Sequence, residues 1–272
     1  MVHRNASNIN AVQAMDPIWD SLRTEAMAMA KAEPTLAGFV YATILNQNSF
    51  EAALGHRIAQ RMDHGDVPAY MISQAFEQMF ADDRDISDII RTDIQAVLDR
   101  DAACERYIEP LLYFKGFHAL QTHRLAHWLW KRDRRDFALF LQSRSSSVFQ
   151  CDINPAAQFG RGIFLDHSTG IVVGATAVVA DDVSILQEVT LGGTGKEDGD
   201  RHPKVGKGVL LGAGAKVLGN IRIGECSKIA AGSVVLRDVP RYATVAGVPA
   251  RVVSVRKGCQ PPARVMDQGI ER

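Results

Sequence analysis

His167 stands in the string LDHSTG with Asp166 beside it, and Asp152 precedes it by about one turn of the repeat described below. A histidine, with a reference pKa of about 6.5, exchanges a proton near neutral pH, and a carboxylate can hold its second ring nitrogen in one tautomer. Such a pair is the minimum machinery for taking a hydroxyl proton during acyl transfer to an alcohol. A second polar group, Arg201 and His202, lies in GKEDGDRHPK. No GxSxG elbow supplies a nucleophile, so direct transfer is preferred to a covalent acyl-enzyme.

The elements that must position these residues follow from a period of six. Aliphatic or aromatic residues recur at Ile153, Phe159, Leu165, Ile171, Ala177, Val183 and Val189, then at Val205, Leu211, Val217, Ile223, Ile229 and Val235. Six is neither the helical period nor strand alternation. It suits a coil of three short faces, about 18 residues per turn, with small residues such as Ala157 and Ser233 near the corners. About five coils fit between residues 153 and 252, a parallel β-helix about 24 Å long at about 4.8 Å per coil. Sixteen of the 22 glycines fall in this stretch. Between Val189 and Val205 about ten residues are added, and a solenoid accepts an insertion only as a loop leaving one corner, commonly on the binding face.

Residues 1–150 differ in kind, with four glycines and most of the aromatic residues. Asp16 before Pro17 reads as the start of a helix, and apolar spacing predicts further helices over 35–45, 50–62, 69–80, 86–98, 118–131 and 135–144. The chain is therefore α+β: a helical, oligomer-forming domain over 1–150, a β-helix domain over 151–252 with an inserted loop at 195–204, and a tail over 253–272. The helical half is expected to cap one end of the prism or make an oligomer. The tail, with Pro261 and Pro262, is expected to close the other end.

Composition excludes several classes. Formal net charge is zero, which argues against nucleic acid or an anionic membrane as partner, and KRDRR at 131–135 is expected to be a solvated helix end. No apolar run approaches a membrane span and no secretory leader is evident, so a cytoplasmic location is expected. Cys104, Cys151, Cys226 and Cys259 have neither zinc-ligand nor disulfide-scaffold spacing and are expected to be free, buried thiols. His123 and His127 lack the HExxH pattern and read as packing residues; no metal site is expected. GGTGK is not a P-loop, because Thr190 replaces its first glycine and Glu197 follows Lys196. Asp101, where one helical pattern ends, reads from sequence alone as a cap or surface residue.

The stretch from FQCDINPAAQFG through LDHSTG, GGTGK and DRHPK to GVPARVV resembles the bacterial serine O-acetyltransferases, and the likeness spans the helical half as well. This resemblance implies a left-handed β-helix, an exception to the right-handed crossover rule, assembled as a homotrimer or a dimer of trimers with active sites between prisms. It implies His167 as general base oriented by Asp152, with His202 positioning the substrate and helping to stabilise the transition state. Asp101 and Asp166 resemble the acceptors of the L-serine amino group, and Arg201 the partner of its carboxylate. Gly193, Ala213 and Ala231 resemble main-chain contacts to coenzyme A, although small residues also simply suit β-helix turns. Acetyl-CoA is then a co-substrate, no cofactor is tightly bound, and L-cysteine is expected as feedback inhibitor.

Two departures stand out. Ala175 occupies a position where the family often has glutamate. Glu271 and Arg272 follow Ile270, whereas the tail that docks into O-acetylserine sulfhydrylase normally ends in isoleucine, so that complex is expected to be weak or absent. Three other readings share parts of this pattern: a hexapeptide acyltransferase for another acceptor, a zinc hydratase, and a non-enzymatic scaffold. The combination of Asp101, Asp166, Arg201 and His202 favours an amino-acid acceptor over the first. The repeat half has only His167 and His202, so the three-histidine metal site of the second is not evident, and the third leaves the co-occurrence of LDH and DRHPK unexplained.

Overall fold

A computed structural model describes residues 16–195, 198–256, 258 and 260–270. Its first part is helical: α1 Pro17–Ala32, α2 Pro34–Val40, α3 Phe50–Met62, α4 Ala69–Asp82, α5 Asp85–Arg100, α6 Ile108–Leu112, α7 Lys115–Trp130 and α8 Arg135–Phe149. Asp16 caps α1 as its sequence predicts, accepting from the Trp19 amide at 3.2 Å. The expected helix over 35–45 is instead α2 followed by a π-helical turn at Tyr41–Leu45, and α6, only five residues long, carries too little periodicity to be foreseen. Residues 131–134 form an exposed turn, as expected of the basic run.

Buried polar groups pin the helices together and constrain pH behaviour. Burial pushes the fully enclosed His118 imidazole down to about 3, Arg61 and Arg57 adding to the effect. It stays neutral, with Nε2 2.8 Å from the Leu111 carbonyl and Nδ1 3.0 Å from the Arg61 guanidinium. Its folded value lies below the ordinary 6.5, so its contribution to stability is present above pH 6.5 and is lost as pH falls towards 3. The melting temperature is expected to drop through that window, and the slope to flatten in His118→Gln. An unchanged slope in the variant counts against this assignment.

Residues 151–255 form a prism of three parallel sheets. The first face stacks β1 Cys151–Ile153, β4 Ile171–Val173, β7 Thr190–Gly192, β10 Lys216–Leu218 and β13 Val234–Val235. The second stacks β2 Gln158–Phe159, β5 Val178–Val179, β8 Lys204–Val205 and β11 Arg222–Ile223. The third stacks β3 Phe164–Leu165, β6 Ser184–Ile185, β9 Leu210–Leu211 and β12 Lys228–Ile229, then β14 Ala243–Gly247 and, antiparallel to it, β15 Ala250–Val255. Glycines follow rung residues where coils nearly touch; a Cβ on Gly224 would lie 2.5 Å from the Arg241 amide nitrogen.

The register corrects the ladder. Ile153 pairs with Val173, Phe159 with Val179 and Leu165 with Ile185, a first coil of 20 residues. Later coils return to 18, as in Leu211 with Ile229 and Val217 with Val235. The rung residues of the middle stretch are therefore Val173, Val179, Ile185 and Leu191, two beyond those expected. Ile171, Ala177, Val183 and Val189 are just as buried, at the inward position preceding each rung, which is why the slip left no trace in hydrophobicity. Two of the ten added residues thus belong to the corner that carries His167, and eight to the loop before β8.

The helices close the first coil, as expected. Arg124 of α7 donates to the Gly160 carbonyl at 2.8 Å, and Asp93 of α5 accepts from the Ile163 amide at 3.1 Å. His127 Nδ1 lies 2.8 Å from the Pro155 carbonyl, so this ring belongs to packing. His123 is buried against Phe159, with ring centroids 4.9 Å apart.

The tail does not close the far end. A short helix, α9 Pro262–Val265, lies back on the third sheet, where Ser184 Oγ donates to the Ala263 carbonyl at 2.8 Å and Arg264 pairs with Asp182 at 3.0 Å. Buried Lys228 donates to the Asp267 carbonyl at 3.1 Å and to that of Gly269. These groups on the face need partners more than the β14–β15 end does. Glu271, Arg272 and Cys259 lie outside the described residues. Cys104 and Cys151 are buried free thiols, and Cys226 is buried. Among the described residues, no helix is long and apolar enough to cross a membrane.

Candidate active site

The predicted residues fall at two different corners. His167 lies where the third face passes into the first, between β3 and β4. The two extra residues make that corner bulge: His167 and Ser168 both adopt left-handed backbone, φ 54° and 56°, and the His167 side chain is 74% exposed. Asp166 Oδ1 lies 3.6 Å from His167 Nε2. Burial raises the Asp166 carboxyl above the ordinary range and the nearby negative charge of Asp101 raises it further, while His167 opposes both.

Asp101 ends α5, its backbone amide donating to the Val97 carbonyl at 2.9 Å, and its Oδ1 accepts from the Ala103 amide at 2.9 Å in the turn that follows. Its field nevertheless reaches Asp166, 65 residues away in the chain, so it belongs to this corner as well. Asp152 differs from expectation: its carboxylate accepts from Gln142 Nε2 at 2.7 Å, and the carboxylate within ion-pair reach of His167 is Asp166. Asp152 sits mid-strand on β1, which packs beneath α8, whereas His167 stands out on its corner. Ala213 and Ala231 lie on the same edge as His167, in successive coils, with Gly232 N donating to the Ala213 carbonyl at 2.8 Å. Gly214 and Gly232 beside them hold the left-handed turns, leaving Ala231 exposed and Ala213 half-buried.

The second cluster occupies the corner where the first face passes into the second. There the long loop leaves β7 and returns to β8, bringing Arg201 and His202 against residues 174–177 of the coil below. His202 is 6% exposed. Its Nδ1 accepts from the Thr176 amide at 3.2 Å and lies 2.8 Å from Thr176 Oγ1. That Oγ1 accepts from the Arg201 and His202 amides at 3.0 and 3.1 Å. Burial lowers the His202 pKa, and the positive charges of Arg201 and Lys204 lower it further, so the ring is neutral at neutral pH. Gly193 packs against the Arg201 side chain, at the base of the loop. Ala175 is half-buried next to Thr176.

Sequence reasoning missed Thr176, Gly174 and Lys204. Lys204 Nζ donates to the carbonyls of Thr176 and His202 at 2.9 and 2.7 Å and to Asp200 at 2.6 Å, clasping the loop to the coil. Gly174 is the floor under the imidazole, since a Cβ there would lie 1.9 Å from His202 Nε2. Gly174→Ala is expected to displace the ring and lower kcat/KM about 100-fold while the melting temperature barely moves. Wild-type kinetics in that variant would remove His202 from the site.

A hexapeptide prism with an exposed histidine at one corner and an Arg–His pair clasped at another fits a hexapeptide-repeat acyltransferase. The family described as bacterial transferase hexapeptide (six repeats) matches residues 202–237, and that described as serine acetyltransferase, N-terminal, matches 18–122. The chain belongs to the serine acetyltransferase family, whose members use acetyl-CoA as co-substrate. The serine acetyltransferase of Salmonella typhimurium is 52% identical over 256 residues, 94% of this chain and 93% of its own. The crystal structure of the Brucella abortus enzyme in complex with coenzyme A superposes with a TM-score of 0.89 at 61% identity, covering 90% of this chain and 98% of that one. A serine acetyltransferase in complex with cysteine superposes with a TM-score of 0.91 at 50% identity, covering 93% and 98%.

Proposed function

We propose that the chain transfers the acetyl group of acetyl-CoA to the hydroxyl of L-serine by direct attack, with His167 as general base. The observation that carries this reading is the difference between the two histidines. His202 Nδ1 is closed by Thr176, so its neutral ring carries its proton on Nε2 and is a donor. His167 has no such closure, stands in solvent and has a carboxylate beside it. His167 takes the serine proton as the serine oxygen bonds to the thioester carbon, and returns it to the departing CoA sulfur. Asp152 orients the base once it exchanges its Gln142 hydrogen bond for the imidazole.

Asp101 and Asp166 share one corner, and the raised carboxyl of Asp166 is relieved by a cation, which is what the serine ammonium supplies. Arg201 takes the serine carboxylate. His202, an Nε2–H donor, holds the substrate and meets the oxygen that gains charge, with the backbone around Gly192 and Gly193 beside it. Coenzyme A lies along the edge bearing Ala213 and Ala231. L-cysteine, similar in shape to serine, competes for the same pocket. The shifted C-terminal carboxylate weakens the sulfhydrylase complex.

The two clusters sit at opposite edges of the first face, so one prism cannot bring both to one serine molecule. A homotrimer, or a dimer of trimers, joins the His167 corner of one prism to the Arg201–His202 corner of the next. Thiol release from acetyl-CoA with L-serine, with O-acetylserine identified in the product, tests the reaction. Mixing inactive His167→Ala and His202→Ala chains before assembly tests the shared site: recovered activity supports it, and none refutes it.

A further inference from the structure

We propose that Thr176 is a positioning residue for acetyl transfer, fixing His202 as a neutral ring that presents an Nε2–H to the substrate. This rests on the placement of His202 in the site. Both acceptor sites of Thr176 Oγ1 are taken by the amides of Arg201 and His202, at 3.0 and 3.1 Å, which leaves its hydroxyl proton to an acceptor: His202 Nδ1 lies at 2.8 Å, and the Asp200 carboxylate is the other acceptor in reach. The Thr176 amide points at the same nitrogen from 3.2 Å. The amide can only donate, so it excludes a proton on Nδ1, and the hydroxyl adds to this when it turns to the ring; together they select the Nε2–H tautomer and disfavour the imidazolium.

The rest of the corner serves the same arrangement. Lys204 ties the Thr176 carbonyl to that of His202, and Gly174 leaves room for Nε2, which has no hydrogen-bond partner among the described residues. One threonine therefore closes the loop and sets the proton of the ring. Threonine suits this because its branched side chain is stiff about χ1 and delivers its hydroxyl in a defined direction.

The test compares Thr176→Val, which keeps the shape and loses the hydroxyl, with Thr176→Ser, which keeps the hydroxyl. Nitrogen-15 spectra of the His202 imidazole in the intact wild-type oligomer are expected to show the Nε2–H form across neutral pH. In Thr176→Val the spectrum is expected to become a mixture of tautomers and to titrate nearer the ordinary histidine range. The kcat/KM of Thr176→Val is expected to fall about 10-fold to 100-fold, with Thr176→Ser within about threefold of wild type. An Nδ1–H ring in the wild type overturns the proposal, as does a valine variant that loses activity with its tautomer unchanged, which is the signature of loop closure alone. His202→Ala run in parallel separates the two levels: full activity there defeats the site reading, whereas an inactive His202→Ala beside an unperturbed Thr176→Val defeats only the role of Thr176.

Discussion

Replacing His167 with alanine is expected to lower turnover of acetyl-CoA with L-serine by about 100-fold or more, the scale of lost general-base catalysis. The structural cost should be small. The side chain is exposed, so the prism is expected to survive the change. Its backbone is the more delicate part, because φ is 54° and alanine enters the left-handed region less readily than histidine or asparagine. His167→Asn is therefore the cleaner variant: it retains the corner's conformation and removes the base. Both variants should bind CoA as the wild type does while releasing thiol slowly. An assembled His167→Asn enzyme with wild-type turnover would end the assignment of His167.

The second large effect concerns stability. Asp93 is fully buried on α5, where it accepts from Arg124 at 2.7 Å, from Gln121 at 3.1 Å and from the Ile163 amide at 3.1 Å. Arg124 is itself enclosed and reaches on to the Gly160 carbonyl. Asp93→Ala strands a buried guanidinium and an amide at the seam between helices and prism, and is expected to cost about 3–5 kcal/mol. Asp93→Asn should cost less, because the amide oxygen still accepts from Ile163. Denaturant titration of the full-length protein reads both. A loss below about 1 kcal/mol in the alanine variant would mean that Arg124 finds water instead.

The period of six was legible because solenoid coils demand an inward aliphatic residue at each rung whatever the loops do. Its phase was not. Both inward positions of the middle coils are filled by aliphatic or small residues, so a two-residue slip at His167 and Ser168 and a matching change in loop length cancel in the pattern. The contrast of Asp101 and Thr176 shows a further limit. Asp101 reads correctly as a helix end, but its approach to Asp166 depends on how α5 docks on the prism, and only family resemblance pointed there. Thr176 looks like any corner residue until the loop folds over it, 25 residues later in the chain. His167, Arg201 and His202 stood out because each interrupts the repeat. The tail was misplaced because its partners, Ser184, Asp182 and Lys228, lie on a face that reads as ordinary repeat.

The 20-residue first coil separates scaffold from chemistry along the chain itself. A prism needs 18 residues to complete a turn, and the surplus of two is what throws the His167 corner outward. Stacking can be altered in the regular coils without touching that corner, and the corner can be retuned without unstacking a rung. The exposed His167 therefore stands on a length of backbone beyond what one turn of the prism requires, so changes at that corner and changes in the regular rungs fall on different residues.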